Sequence, residues 1–381
     1  LIPTVLRVGK LVFKMKYLSV PSIGERVSCI ALGVNKTGDK RNSSKETEKS
    51  RIAFYHKAID MGVNFFDTAE LYGGGYSEEV LGKALSNGYR NQIMICTKYN
   101  AKNSTREKLT ISLENSLKRL NTEYVDFYLA HWPNPNVPFD DLLKTLETFK
   151  NSGKIRAYGL SNATAVEIQQ FNEQNNGNFF VIENEYNLID RGAEEEILPF
   201  VEDNNCLFLA YSPLIQGRVL KTDQEVVSLC EKYNCSLQQL FLAWIHQKNM
   251  VSLVRTMNES HLEDNISALN IKLEQSDQEI LSATLSVSKT EVDVDLIEID
   301  DRSYSNIHDA ILNRDQLIPS PLLLSQRLDK DFKFSPLRLV KNGDTYRILD
   351  DFYMSEIKKF WAWKMSRHHS KKIEAYVFND L

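Results

Sequence analysis

Four side chains suited to proton chemistry fall at or just past the ends of apolar runs: Asp67, Tyr72, Lys98 and His131. In NFFDTAELYGGG, the run Val63, Phe65 and Phe66 delivers Asp67 to a strand end, and a polar turn presents Tyr72 beside Gly73, Gly74 and Gly75. Lys98 closes the run QIMICTKY and His131 closes VDFYLAHW. An ammonium beside a phenol favours the phenolate and lowers the phenol's pKa, while an aspartate pairs with that ammonium and holds it. A tyrosine so tuned serves as a general acid near neutral pH, and a histidine on the next strand donates a hydrogen bond to a substrate oxygen. Such a set donates a proton to an oxygen that gains charge, as when hydride reduces a carbonyl. Taken singly, Asp67 reads as a turn cap and Tyr72 as a loop aromatic. Only the set argues for chemistry.

These residues meet only if successive strands lie side by side. The chain supplies that order: VSCIALGV, NFFD, QIMICTKY, VDFYLAHW, IRAYGLSN, FFVIENEYN, CLFLAYSP and MVSLVRT read as buried strands, each followed by a helical segment. TEKSRIAFYHKAIDMG puts Ile52, Tyr55, Ala58 and Ile59 on one helical face, and TREKLTISLENSLKRLN does the same for Leu109, Leu113, Leu117 and Leu120. Eight short apolar strands alternating with helices predict an α/β fold with a parallel sheet closed as a (β/α)8 TIM barrel. The competing open, doubly wound sheet calls for a G-x-G-x-x-G turn after its first strand, and ALGVNKTGDK has none. In a barrel, chemistry belongs at the C-terminal strand ends. Read in order, those ends give Asp67, Lys98, His131, Ser161 with Asn162, Glu183, Tyr211 with Ser212, and Arg255 with Thr256.

The bulk numbers fit one large domain plus an appendage: 381 residues, 42% hydrophobic and 25% charged. A net charge of -5 argues against a general nucleic-acid surface. The five cysteines, Cys29, Cys96, Cys206, Cys230 and Cys235, form no CxxC pair, which predicts reduced thiols, a cytoplasmic setting and no metal centre. No apolar run is long enough to cross a bilayer. The first 14 residues, LIPTVLRVGKLVFK, read as a segment ahead of a natural start at Met15.

Seven stretches, FDTAELYGGGYSEEVLG, TKYN, HWP, YGLSN, ENEYNLIDR, AYSPLIQG and HLEDNISAL, stand in the order and at roughly the spacing of the aldo-keto reductases. The chain resembles that family from about Met15 to Ser286. The resemblance implies Tyr72 as proton donor, Asp67 and Lys98 as its tuning pair and His131 as the orienting group. It also implies NADPH or NADH extended across the barrel mouth. Ser161, Asn162 and Glu183 would hold the nicotinamide carboxamide, with Tyr211 stacked on the ring and Ser212, Leu214 and Gln216 beside it. The segment matching the adenosine grip supplies Arg255, Thr256, Asn258, His261, Asp264 and Asn265. Arg255, Thr256 and Asn258 suit a 2′-phosphate and favour NADP, with NAD as the alternative. Trp132 reads equally as substrate-pocket wall or as packing. Two departures stand out. Glu183 takes the place of the family's usual glutamine, and Leu253-Val254-Arg255 replaces its usual Ile-Pro-Gly or Ile-Pro-Lys. The segment Gln216 to Asp223 is short, so a strap over the cofactor is reduced.

The alternation stops after SLSVSKTEVDVD, so 287–295 reads as a linker and 296–381 as a small α+β accessory domain. LRLVKNGDTYRILD, with Asn342-Gly343 at its turn, is a hairpin signal, and LIEI and IEAYVFN read as further strands. The order of these pieces resembles the ParB/sulfiredoxin-like domain. Its arginine-bearing box is replaced by Asp350-Asp351-Phe352-Tyr353, which argues against nucleotide hydrolysis. Lysines and tryptophans in SEIKKFWAWKMSR read as an amphipathic helix or as a nucleic-acid patch. The expected activity is NADP-dependent reduction of an aldehyde or ketone, with a sugar-derived carbonyl among the candidates. The rival is a nicotinamide-binding sensor whose tail binds a partner or DNA.

Overall fold

A computed structural model describes residues 5–8, 11–35, 44–86, 88–177, 181–214, 224–284, 289–298, 337–342, 344–348, 360 and 372–378. The chain separates into two compact units, Leu1–Pro133 with Val137–Thr284, and Asn134–Asn136 with Leu285–Leu381.

The first unit is built on eight parallel strands: β1 (Ile30–Gly33), β2 (Phe65–Asp67), β3 (Met94–Tyr99), β4 (Val125–Ala130), β5 (Ile155–Ser161), β6 (Val181–Glu185), β7 (Leu207–Tyr211) and β8 (Val251–Val254). They pair in sequence order, and β8 closes on β1 through Ser252↔Ile30 and Val254↔Leu32. This is the closed (β/α)8 barrel expected from the alternation. Every residue of β3 and β4 is buried, because the lumen covers one face and the helices cover the other. Gly159 lets β5 and β6 close up: a Cβ there would lie 1.9 Å from the Val181 carbonyl oxygen.

The helices follow their strands. They are α1 (Lys45–Asp60), α2 (Tyr76–Ala84), α3 (Arg106–Leu120), α4 (Phe139–Asn151), α5 (Ala165–Gln174), α6 (Ile197–Asp203), α7 (Gln224–Tyr233), α8 (Leu237–His246), α9 (Glu259–Ser267) and α10 (Gln275–Thr284). On α3 the leucines at 109, 113, 117 and 120 are all buried. On α1 the core face is Phe54, Tyr55, Ala58 and Ile59, with Ile52 only half-buried at its edge. Thr164 and Ser236 open α5 and α8 with reciprocal capping boxes. Among the described residues, no helix is long and apolar enough to cross a membrane.

Two antiparallel hairpins precede the barrel, Val5–Val8 with Leu11–Lys14 and Tyr17–Val20 with Glu25–Ser28. At the N-terminal end of the barrel, Asp126 is 1% exposed and fully engaged. Its Oδ2 accepts from Arg90 Nη2 at 2.8 Å and from Ile95 N at 2.9 Å, and its Oδ1 from Arg156 Nη1 at 3.1 Å.

The second unit holds a five-stranded sheet of β9 (Lys289–Asp293), β10 (Ile297–Glu298), β11 (Leu337–Asn342), β12 (Thr345–Ile348) and β13 (Lys372–Phe378), in the order β9-β13-β11-β12-β10. The expected hairpin is present, with Asn342 opposite Thr345. Its core gathers Val292, Ile297, Leu337, Leu339, Ile348, Phe360 and Ala375. The stretch 287–295 differs from the linker expected there, because it holds β9. In Lys-Thr-Glu-Val-Asp the buried residue of that core is Val292, so hydrophobic patterning does not reveal the strand. Residues Asp350 to Tyr353 and most of SEIKKFWAWKMSR lie outside the described residues.

Candidate active site

Side chains two apart on a strand share a face, and β3 uses both faces. Cys96 and Lys98 belong to the lumen cluster, while Thr97 faces the helices and donates to Glu78 Oε1 of α2 at 2.6 Å. Lys98 is wholly buried. Its Nζ lies 2.5 Å from Asp67 Oδ1 at the end of β2, 3.2 Å from Glu183 Oε1 on β6, and 3.4 Å from the Tyr72 hydroxyl. It also donates to the Thr68 carbonyl at 3.2 Å.

Tyr72 is held by the turn it opens. Gly73, Gly74 and Gly75 have φ of 60°, 64° and 93°, a left-handed succession that only glycine adopts readily. A Cβ on Gly75 would sit 2.6 Å from Arg119 Cδ. Arg119 is fixed in turn by a 2.6 Å bond to Glu78 Oε2. Glu70 ties the loop down by accepting from Asn100 N at 2.6 Å, Asn103 Nδ2 at 2.8 Å and the Ser112 hydroxyl. The glycines form a tight turn and the side chains around them position the phenol.

The His131 ring meets the Tyr72 ring edge-on, with centroids 5.6 Å apart. Asn162 joins three strand ends: its Nδ2 donates to the His131 carbonyl at 2.9 Å and its Oδ1 accepts from the Tyr211 hydroxyl at 2.6 Å. Asn162 and Ser212 both carry a positive φ, 55° and 52°, strain of a kind that collects at functional sites. Ser161 is buried, accepts from Asn162 at 3.1 Å and adjoins Glu183 in the β5–β6 register. Trp132 and Leu214 are half-buried. Gln216, and the strap expected from 216 to 223, lie outside the described residues.

Burial sets most of the charge states here. It pulls His131 down to about 3, helped by the Lys98 charge, so the imidazole is neutral at working pH. Burial alone would lower Lys98, but the Asp67 and Glu183 charges outweigh it and keep the ammonium well above its ordinary pKa. Glu183 is pushed up to about 8 by burial and by the Asp67 charge, against the pull of Lys98. Asp67 is raised by burial, with Lys98 opposing. Tyr72 differs from the expectation of a lowered phenol pKa. Lys98 does pull it down, but burial and the charges of Asp67 and Glu183 raise it further. The phenol is therefore a proton-loaded acid whose conjugate base has an ammonium waiting 3.4 Å away.

Asp67, Cys96 and Glu183 have potential metal-ligand atoms all within 4.8 Å of one another. The Lys98 ammonium, 2.5 Å from Asp67 and 3.2 Å from Glu183, already supplies the cation. Of the buried polar atoms that find no partner among the described residues, His131 Nδ1 and Glu183 Oε2 belong to this cluster, while others, such as both ring nitrogens of His246, lie elsewhere in the barrel unit. Unsatisfied buried groups are costly, and in a barrel mouth they mark where a ligand completes the site. A nicotinamide fits this donor set, since Glu183 Oε2 accepts from a carboxamide NH2.

Beyond β8, Arg255, Thr256 and Met257 line a cavity of about 90 Å³ with Gly33, Val34, Arg51 and Tyr55. Arg51, on α1, is a lining residue that sequence reasoning missed. The Asn258 Oδ1 caps α9, accepting from Ser260 N at 2.9 Å and His261 N at 3.5 Å. That bond satisfies a helix N-terminus through the amide oxygen and leaves Nδ2 as a donor, the kind of group a phosphate accepts from. His261 and Asp264 are exposed and Asn265 is buried.

The barrel and its mouth define a class, and comparison with known proteins agrees. A profile of the aldo/keto reductase family matches residues 29–285, more than half of the chain. The chain belongs to the aldo/keto reductase family, a class of NAD(P)H-dependent oxidoreductases. It is 35% identical over 212 residues to the aldo-keto reductase YhdN of Bacillus subtilis (strain 168), across 53% of this chain and 63% of that protein. It is 30% identical over 255 residues to the methylglyoxal reductase YeaE of Escherichia coli (strain K12), across 65% of this chain and 89% of that one. Among solved structures, the thermostable aldo-keto reductase Tm1743 superposes with a TM-score of 0.67 at 31% identity, covering 71% of this chain and 99% of that one. An aldo-keto reductase from Klebsiella pneumoniae in complex with NADPH gives 0.65 at 27%, covering 71% and 96%.

Proposed function

We propose that the protein reduces a small aldehyde or ketone with NADPH, and that Tyr72 donates the proton. The observation that carries this reading is the Lys98 ammonium, 2.5 Å from Asp67 and 3.4 Å from the Tyr72 hydroxyl, at the C-terminal mouth of the barrel. Neutral His131 donates a hydrogen bond to the carbonyl oxygen and orients it. Bound across this mouth, the nicotinamide supplies the hydride for the carbonyl carbon. Tyr72 passes its phenolic proton to the same oxygen, and Lys98, held by Asp67, stabilises the phenolate left behind. The Asn162 bond to the His131 carbonyl keeps β4 and β5 in register at the site.

Ser161, Asn162, Glu183 and Tyr211 surround the place for the nicotinamide end, with Ser212 and Leu214 beside them. Arg255 and Thr256 serve the 2′-phosphate end, since a guanidinium pairs well with phosphate. NADPH is accordingly favoured over NADH, although one relative at 29% identity is an NADH-specific methylglyoxal reductase from Escherichia coli (strain K12). Methylglyoxal is the first substrate to try, because two relatives carry its name. The cysteines are free thiols, which suits a reducing compartment such as the cytoplasm. The likeness of the second unit to the ParB/sulfiredoxin-like domain rests on residue order alone and has no part in this chemistry.

The test is oxidation of NADPH and of NADH with methylglyoxal and a panel of aldehydes, ketones and aldoses. Carbonyl-dependent oxidation, faster with NADPH, is expected. Tight cofactor binding with no turnover on any carbonyl would contradict the reading and favour a nicotinamide sensor.

A further inference from the structure

Lys98 faces more negative charge than it can balance. Its Nζ is 2.5 Å from one carboxylate and 3.2 Å from another, and all three groups are buried. The remaining titratable neighbours do not help. The Cys96 thiol beside Asp67 is held neutral by burial, the Tyr72 phenol is neutral, and His131 is neutral. With both carboxylates ionised, the cluster would carry one uncompensated buried negative charge. Such a charge is avoided by taking up a proton. Oxygens of Asp67 and Glu183 lie within 4.8 Å of one another against the same ammonium, so each carboxyl opposes ionisation of the other, as in carboxyl pairs that hold one proton between them.

We propose that Asp67 and Glu183 share one proton above Lys98, and that loss of this proton weakens proton donation by Tyr72 at alkaline pH. The inference rests on the assignment of Tyr72 as proton donor. Glu183 is then a positioning residue acting through Lys98, in addition to presenting Oε2 at the mouth. With the proton in place, Lys98 and the carboxyl pair sum to zero, and the phenolate forming on Tyr72 meets an ammonium with one charge to spend on Asp67. When the proton leaves for solvent, the ammonium is outnumbered. The Glu183 charge then acts on Tyr72 to disfavour its phenolate, as a like charge near a forming anion does. The midpoint expected for this change is that of Glu183, about 8. A glutamine at this position is permanently neutral and removes the titration.

Two measurements on the full chain test this. The first is an infrared pH titration of the cofactor-free wild type from about pH 6 to about pH 10. It should show the C=O stretch of a protonated buried carboxyl disappearing with a midpoint near 8, and that band should be missing in Glu183→Gln. The second is the pH profile of single-turnover reduction. Wild type should lose about tenfold across the same range, and the fall should be absent in Glu183→Gln. No titrating carboxyl band in wild type, a band retained in the variant, or an alkaline fall that is missing in wild type or unchanged in the variant would each overturn the proposal. The infrared arm needs no turnover, so its failure is distinguishable from a failure of the Tyr72 assignment, which would leave Tyr72→Phe active.

Discussion

The two ends of the barrel both bury a carboxylate against a base, and they do it differently. At the N-terminal end, Asp126 has two arginines and a backbone N–H, and both of its oxygens are engaged. At the C-terminal end, Lys98 is shared by Asp67 and Glu183, Glu183 Oε2 has no partner among the described residues, and neither does His131 Nδ1. A satisfied cluster holds a fold together. An unsatisfied one costs stability and is kept for what binds there. The contrast fits the proposed division of labour, stability at one rim and chemistry at the other, which barrels follow in general.

The sharpest way to break that contrast is to exchange the consequences of mutating each rim. Tyr72→Phe removes one hydroxyl from the C-terminal rim and should lower kcat by about 10³-fold, with the cofactor Kd little changed. Steady-state kinetics and fluorescence titration of NADPH read the two effects separately. Asp126→Asn should do the opposite: about 2–4 kcal/mol lost in denaturant unfolding, because Arg90 and Arg156 lose their shared charge, and an unchanged kcat for the folded protein. A large kcat loss there would erase the distinction.

Glu183→Gln sharpens the comparison through pH. The folded protein keeps the Glu183 proton up to about 8, whereas the unfolded chain releases it near the ordinary 4.5. The raised pKa therefore favours folding below about 4.5, and that advantage is lost as pH rises through 8. The Tm of Glu183→Gln should gain on wild type by a few degrees over that interval, and thermal scans at several pH values would show it. Smallest is the effect at the edge of the mouth. Arg255→Ala should weaken NADPH by about tenfold and leave NADH nearly unaffected, with the difference shrinking in high salt.

Much of this was legible in the chain because barrels turn sequence order into spatial order. Asp67, Lys98 and His131 end three consecutive strands, so pairing of β2, β3 and β4 is enough to bring them together. The ammonium near the phenol follows from that. The Glu183 bond to Lys98 does not, because β6 pairs with β5 and β7 and reaches β3 only across the lumen. Strand alternation says which face a side chain takes, but not which opposite residue it meets. The sign of the Tyr72 shift was missed for a related reason: the pull of Lys98 is a pairwise effect, whereas burial depends on everything packed around the ring. The cap role of Asn258 was not read from the sequence; it uses Oδ1 and leaves Nδ2 as a donor, so it stands beside the expected phosphate contact. The hairpin at Asn342 was readable from its turn residues alone, while β9 was hidden by four polar residues around Val292.

The most direct test is a crystal structure of the complex with NADPH and an unreactive carbonyl analogue. The account expects the analogue's oxygen at about 3 Å from both the Tyr72 hydroxyl and a His131 ring nitrogen. It also expects the nicotinamide carboxamide on Glu183 Oε2, so that the C-terminal rim becomes as fully partnered as Asp126 already is. A cofactor bound with its nicotinamide away from Lys98 and Tyr72, leaving Glu183 Oε2 still without a partner, would contradict it.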